Sequence, residues 1–141
     1  MCGIFGGVNV DFNEAKDCIN LIKRGEDGIT IKKINDKIVF ASRRHLVKKS
    51  GYEEDNKNLS DQPYFSKDKK IALIFNGEFF NFNDYKKDLE KKNVIFNSEG
   101  DTEVFLKLYE TKGINFLNDK KIDSLFAIAI VDLNIGKIFI T

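Results

Sequence analysis

This sequence predicts an α+β layered domain, on three observations. Strand-like runs gather near both ends of the chain, helical patterns gather between them, and the regular strand–helix alternation of a doubly wound sheet is missing. At 141 residues the chain fits one domain with a real hydrophobic core, and residues 1–141 are read as that single domain.

The first element is a strand from Ile4 to Val10, apolar and β-branched, where Gly6 and Gly7 suit close approach of another backbone. From Glu14 to Lys23 the residues Ala15, Cys18, Ile19, Leu21 and Ile22 share one helical face, with Asn13 as N-cap and Gly25 and Gly28 ending the helix. Ile29 to Ile34 and Lys37 to Ala41 are β-rich runs on either side of Asn35-Asp36, which predicts a hairpin. Lys48 to Lys70 is polar and loop-like.

Ile71 to Phe75 is an apolar strand, and Glu78 to Phe82 is a second extended segment. The intervening Asn76-Gly77 is the commonest short signal for a tight turn. A charged helix follows from Asn83 to about Lys92, and another from Thr102 to Lys112, headed by Asp101 and closed by Gly113. Leu125 to Asp132 and Lys137 to Ile140 complete the chain as strands.

Composition excludes several function classes. Lys and Arg total 23 against 22 acidic residues, so a net charge of +1 provides no field to recruit nucleic acid or anionic lipid. The apolar run Leu125 to Val131 is far too short to span a membrane, and the N-terminus lacks the pattern of a signal peptide, so a cytoplasmic location is expected. Cys2 and Cys18 have neither the number nor the spacing of a disulfide framework or zinc site. No metal site is expected.

Few residues could perform nucleophilic chemistry. A Cys–His pair has one histidine available, His45. Cys2 offers another route: removal of Met1 leaves a thiol and an α-amine of pKa ~8 on one residue, nucleophile and base together. Cys2 equally suits a small apolar position entering a core strand. Asn76 with the Gly77 N–H could stabilise an oxyanion, or simply form a turn. Asp101 could hold an ammonium group, or cap a helix. Arg44, in the basic run Arg43-Arg44-His45 with Lys48 and Lys49, could clamp a carboxylate or lie on a solvated face.

Considered in order, several segments resemble those of class II, N-terminal-nucleophile glutamine amidotransferases. They are Met1-Cys2-Gly3-Ile4-Phe5-Gly6, Arg24-Gly25-Glu26-Asp27-Gly28, Ala41-Ser42-Arg43-Arg44, Gln62-Pro63, Phe75-Asn76-Gly77-Glu78-Phe79-Phe80-Asn81, Ser98-Glu99-Gly100-Asp101-Thr102-Glu103-Val104 and Leu125 to Asp132. Within that class the segments around Asn76 and Ser98 are more similar to the glutaminase domain of glutamine-hydrolysing asparagine synthetase than to the glucosamine-phosphate or phosphoribosylamine enzymes.

The resemblance implies a four-layer αββα sandwich of two antiparallel sheets. It also implies that L-glutamine is hydrolysed to glutamate and ammonia, with Cys2 as nucleophile and its freed amine as base. Asn76 and Gly77 would form the oxyanion hole. Arg44 would grip the α-carboxylate, Glu78 and Asp101 would bind the α-ammonium, and backbone near Val47 and Lys48 would line the pocket. Arg44 with Glu78 and Asp101 argues for an α-amino acid rather than the acylated amines or penicillins cut by other folds of this type.

Three positions depart from the family pattern: Glu26 where Pro is usual, Ser42 where His is usual, and Ser124 near a usual Gly. The family chain continues into further glutaminase strands and an ATP-dependent synthetase domain, so the present chain is read as truncated at its C-terminus. No cofactor is expected in this domain; ATP and Mg belong to the synthetase portion, a domain or separate subunit that would accept the ammonia. The alternatives are a fragment of a longer enzyme, a free-standing glutaminase, and a non-catalytic glutamine- or partner-binding domain.

Overall fold

The computed structural model describes residues 2–44 and 61–141. The chain runs β1 (Gly3–Val8), α1 (Phe12–Leu21), β2 (Gly28–Lys33), β3 (Ile38–Arg44), β4 (Tyr64–Phe65), β5 (Ile71–Phe79), α2 (Phe82–Glu90), α3 (Asp101–Lys112), a 3-10 segment (Gly113–Asn118), β6 (Ser124–Asp132) and β7 (Lys137–Ile140). The strands form two antiparallel sheets, ordered β1-β3-β2 and β4-β5-β6-β7.

Alternation along the strands builds the layers. In β5, Ala72 and Ile74 join Phe40, Ala129, Val131 and Ile4 in the core between the sheets. Ile71, Leu73, Phe75 and Phe79 point the other way, into a larger core shared with Leu89 of α2 and Val104, Phe105 and Leu108 of α3. Helix α1 packs on β1, β2 and β3, burying Ala15 and Ile19. The result is an αββα sandwich, as expected. The Phe105 ring lies 4.5 Å from Phe79, 5.0 Å from Phe75, 5.3 Å from Phe126 and 5.8 Å from Phe116, fastening α3 to the C-terminal half of β5.

Several local expectations are corrected. Helix α1 starts two residues earlier than Glu14, and its N-cap is Asp11 rather than Asn13. Asp11 Oδ1 accepts from Asn13 N at 2.7 Å and Glu14 N at 2.9 Å, while Glu14 Oε2 accepts from Asp11 N at 2.8 Å. This reciprocal capping box satisfies otherwise orphan donors and outcompetes the amide of Asn13. The helix ends at Leu21, before either glycine. The hairpin of β2 and β3 is present, with Asn35 Oδ1 accepting from Lys37 N and Ile38 N. The C-terminal part of the polar stretch contributes the short strand β4, which pairs with β5.

Asn76-Gly77 is not a turn. β5 pairs with β6 without interruption, Asn76 opposite Ala127, Gly77 opposite Phe126 and Glu78 opposite Leu125. Nine residues of long-range pairing override the local turn preference. Asp101 is not an N-cap either: Gly100 occupies that position and Asp101 begins the helix, leaving its carboxylate available elsewhere. Gly113 closes α3 as expected. Among the described residues no helix is long and apolar enough to cross a membrane.

Candidate functional site

The candidate residues converge on one end of the sandwich. Ser42 Oγ of β3 donates to Gln62 O at 2.8 Å, and Gln62 Oε1 accepts from Phe75 N of β5 at 2.6 Å. This relay places the C-terminal end of β3, which leads to Arg44, beside the part of β5 that leads to Asn76 and Glu78. In β1, Ile4 pairs with Ser42 and Gly3 with Arg43, so Cys2 lies one step further along the same register, at the level of Arg44. Ser42 thus makes a bond that ties the two sheets together.

The chain around Cys2 is tightly constrained. A Cβ on Gly3 would come within 2.5 Å of Ile22 Cγ2, and one on Gly25, whose φ is 81°, within 2.3 Å of Arg43 O. Arg43 Nε donates to Gly25 O at 3.1 Å and Arg43 NH1 to Ile22 O at 2.7 Å. Arg43 is therefore a strap that holds the loop after α1 over the start of β1. Cys2 itself is a half-buried free thiol. Glu26, in that loop, is exposed.

On the opposite sheet, alternation sends Asn76 and Glu78 to the same face of β5 as Ala72 and Ile74, the face turned toward β1 and β3. Asn76 Oδ1 is enclosed and has no hydrogen-bond partner among the described residues. A buried polar atom left this way is costly to the folded state. Gly77 admits no side chain: its φ is 157°, and a Cβ would fall 2.0 Å from Leu125 O and 2.7 Å from Phe126 Cα. Close approach of two backbones dictates glycine here.

Glu78 is exposed, and its strand end is held on several sides. Ser124 Oγ donates to Glu78 O at 2.9 Å, Phe80 N donates to Asp123 O at 2.8 Å, and Asn81 bonds Lys121 O and Asp123 N. Ser124 thus supplies a side-chain bond at the start of β6. Asp101 Oδ2 accepts from Phe79 N at 3.3 Å. Burial raises the Asp101 carboxyl above its ordinary value, the Phe79 N–H opposes that, and the negative charge of Glu78 raises it further. Asp101 and Glu78 thus lie near enough for the charge of one to bear on the other.

The Arg44 guanidinium is ion-paired with the Asp61 carboxylate. Val47 and Lys48, expected near the pocket, and His45 lie outside the described residues. Among the described residues no cluster of three or more His, Cys, Asp or Glu is arranged to hold a metal ion.

The glutamine amidotransferase domain family matches residues 1–141 in full. The chain belongs to that family. Its relatives include asparagine synthetase [glutamine-hydrolyzing] 2 of Bacillus subtilis, 32% identical over 99% of this chain and 18% of the relative. Asparagine synthetase [glutamine-hydrolyzing] 1 of Lotus japonicus is 30% identical over 94% of this chain and 22% of its own length. The Arabidopsis thaliana asparagine synthetase [glutamine-hydrolyzing] 1 is 38% identical over 51% of this chain. The amidotransferase chain spans about a fifth of the first two relatives.

Sequence reasoning missed three residues that shape this candidate site. Gln62 stands in the sequence only as part of Gln62-Pro63, although its side chain accepts from Phe75 N. Lys86 and Glu103 are buried charges, and a charged helical position gives no sequence signal that it will be enclosed. Glu103 stood in the Ser98–Val104 segment, where its spacing from Ser98 was the available clue.

Proposed function

We propose that this amidotransferase domain hydrolyses the side-chain amide of L-glutamine to give L-glutamate and ammonia. The observation that carries the reading is the Glu78–Asp101 carboxylate pair, set at the same end of the sandwich as Arg44 and Cys2. An α-amino acid brings an ammonium for the carboxylates and a carboxylate for the guanidinium, so its side-chain amide is left to project toward the remaining groups.

With Met1 removed, the freed α-amine of Cys2 takes the thiol proton and the sulfur attacks the amide carbon. Negative charge then develops on the amide oxygen. The Gly77 N–H and the Asn76 side chain stabilise it, because a half-turn of the Asn76 amide exchanges its enclosed oxygen for an N–H donor. Collapse of the tetrahedral species breaks the carbon–nitrogen bond, and the nitrogen leaves as ammonia with the proton held by the amine. Water attacks the resulting thioester, giving its proton to the amine, and glutamate departs as the thiol is restored.

The relatives are named as glutamine-hydrolysing asparagine synthetases, which couples glutamine hydrolysis to asparagine synthesis. We extend that to this chain: the ammonia is destined for amidation of aspartate by an ATP- and Mg-dependent synthetase portion or subunit. A free thiol nucleophile suits a reducing compartment, the cytoplasm.

The deciding experiment is glutamate release by chain whose N-terminus is confirmed by intact mass as Cys2, with Cys2→Ala alongside. Release lost in the variant supports the reading. Binding of glutamine without release from correctly processed, folded chain would replace it with a non-catalytic glutamine-binding domain.

A further inference from the structure

Glu103 is wholly buried, at 0% exposure, yet among the described residues its charge is met by N–H and O–H donors and by no ion pair. Asn97 N lies 3.0 Å from both carboxylate oxygens, and Asn97 Nδ2 lies 3.4 Å from Oε1. Ser98 N and Ser98 Oγ each donate to Oε2 at 2.7 Å. Glu103 is the third residue of α3, the position from which a glutamate ordinarily reaches back to the N-cap N–H. Here it reaches two and three residues further, and folds residues 97 and 98 back over the first turn. Gly100 has no side chain with which to cap that turn, so the chain's entry into α3 depends on this carboxylate.

The same segment is gripped from α2. Lys86, 7% exposed, donates from Nζ to Ser98 O at 3.2 Å and to Glu99 Oε2 at 2.7 Å, and lies 5.3 Å from the centre of the Phe96 ring. What this clamp delivers is the next residue but one: Asp101, at the head of α3, against Phe79 N and beside Glu78.

We propose that Glu103 is a positioning residue for the ammonium subsite: by holding residues 97 and 98 it fixes Asp101 relative to Glu78, and so sets the preference for substrates that carry an α-amino group. The inference rests on the reading of Glu78 and Asp101 as ammonium partners. A purely structural carboxylate would affect every ligand of the pocket alike. A positioning residue acts only on ligands that bear the ammonium.

The test is binding to the full chain carrying Cys2→Ala, followed by NMR titration with L-glutamine and with its des-amino analogue, glutaramate. Glu103→Gln replaces one acceptor oxygen with a donor facing other donors. It is expected to weaken L-glutamine about tenfold, from the loss of one well-placed charged contact, while glutaramate changes by less than about twofold. Equal weakening of both ligands, or none of either, overturns the proposal. Should Glu103→Gln fail to fold, Ser98→Ala removes a single donor from the same carboxylate and is expected to shift the glutamine-to-glutaramate ratio in the same direction by a smaller factor; an unchanged ratio overturns the proposal. If the parent Cys2→Ala chain shows no preference for glutamine over glutaramate, the ammonium reading itself has failed and this inference falls with it. Loss of Cys2-dependent hydrolysis alone would reflect on the chemistry, and leave the binding comparison intact.

Discussion

Asp101 Oδ2 accepts the Phe79 N–H at 3.3 Å while the charge of Glu78 bears on the same carboxylate, so one acid is both a structural acceptor and half of a like-charged pair. Its folded carboxyl titrates above the unfolded value, chiefly through burial and then through Glu78. The folded state therefore binds the proton more tightly, and stability is lost as pH rises from the unfolded value through the folded one. Asn at this position keeps an oxygen for Phe79 N and removes the charge. We expect Asp101→Asn to raise Tm at neutral pH, with the gain vanishing below the unfolded carboxyl range. The same variant should raise the glutamine KM by roughly tenfold or more, since one of the two proposed partners of the ammonium is gone. Thermal scans from pH 3 to 8 and steady-state kinetics check both halves.

Gly77→Ala tests the close approach of β5 and β6. A Cβ 2.0 Å from Leu125 O cannot be relieved by a rotamer change, because the obstacle is main chain. The strands must part where Gly77 faces Phe126. A loss of about 2 kcal/mol or more is expected, in the range for overpacked or strained sites, together with loss of glutaminase activity. Urea unfolding measures the first; an unchanged midpoint would show that the backbone contact is not constraining.

The two cysteines should behave differently. Cys2→Ala is expected to abolish glutamate release with an unchanged Tm. Cys18 lies in α1, the helix packed on β1, β2 and β3, and Cys18→Ala should retain activity with a packing loss of about 1 kcal/mol or less. Equal loss of activity from both variants would remove Cys2 from its proposed role.

Much of this architecture was legible because local signals and burial agree. The β2–β3 hairpin has the Asn35-Asp36 turn, and α3 has Gly113 as its stop. Legibility failed where long-range pairing decides: Asn76-Gly77 reads as a turn in isolation, and only β6 alongside makes it the middle of a strand. It failed again where a neighbour takes over a role, as Asp11 does from Asn13. For the site, residue types marked Cys2, Arg44, Glu78 and Asp101, but the supporting bonds of Gln62, Lys86 and Glu103 join residues up to 20 apart in sequence, or bury charges that a helix pattern assigns to solvent.

Arg44→Ala and Arg44→Lys separate charge from geometry at the proposed carboxylate subsite. Arg44 already holds a carboxylate, that of Asp61, so a substrate carboxylate must share or displace that contact. Such a contact exists in the ground state and persists in the transition state. Its removal should therefore raise KM and leave kcat nearly unchanged. Lysine keeps the charge but not the planar fork, and a bidentate grip is lost with it. The expected order of KM is wild type, then Arg44→Lys, then Arg44→Ala, with the last raised by roughly tenfold to a hundredfold, the cost of a lost charge-assisted pair. Steady-state kinetics on glutamine provides the check: a fall in kcat at constant KM would assign Arg44 to the chemistry of the amide rather than to recognition of the carboxylate.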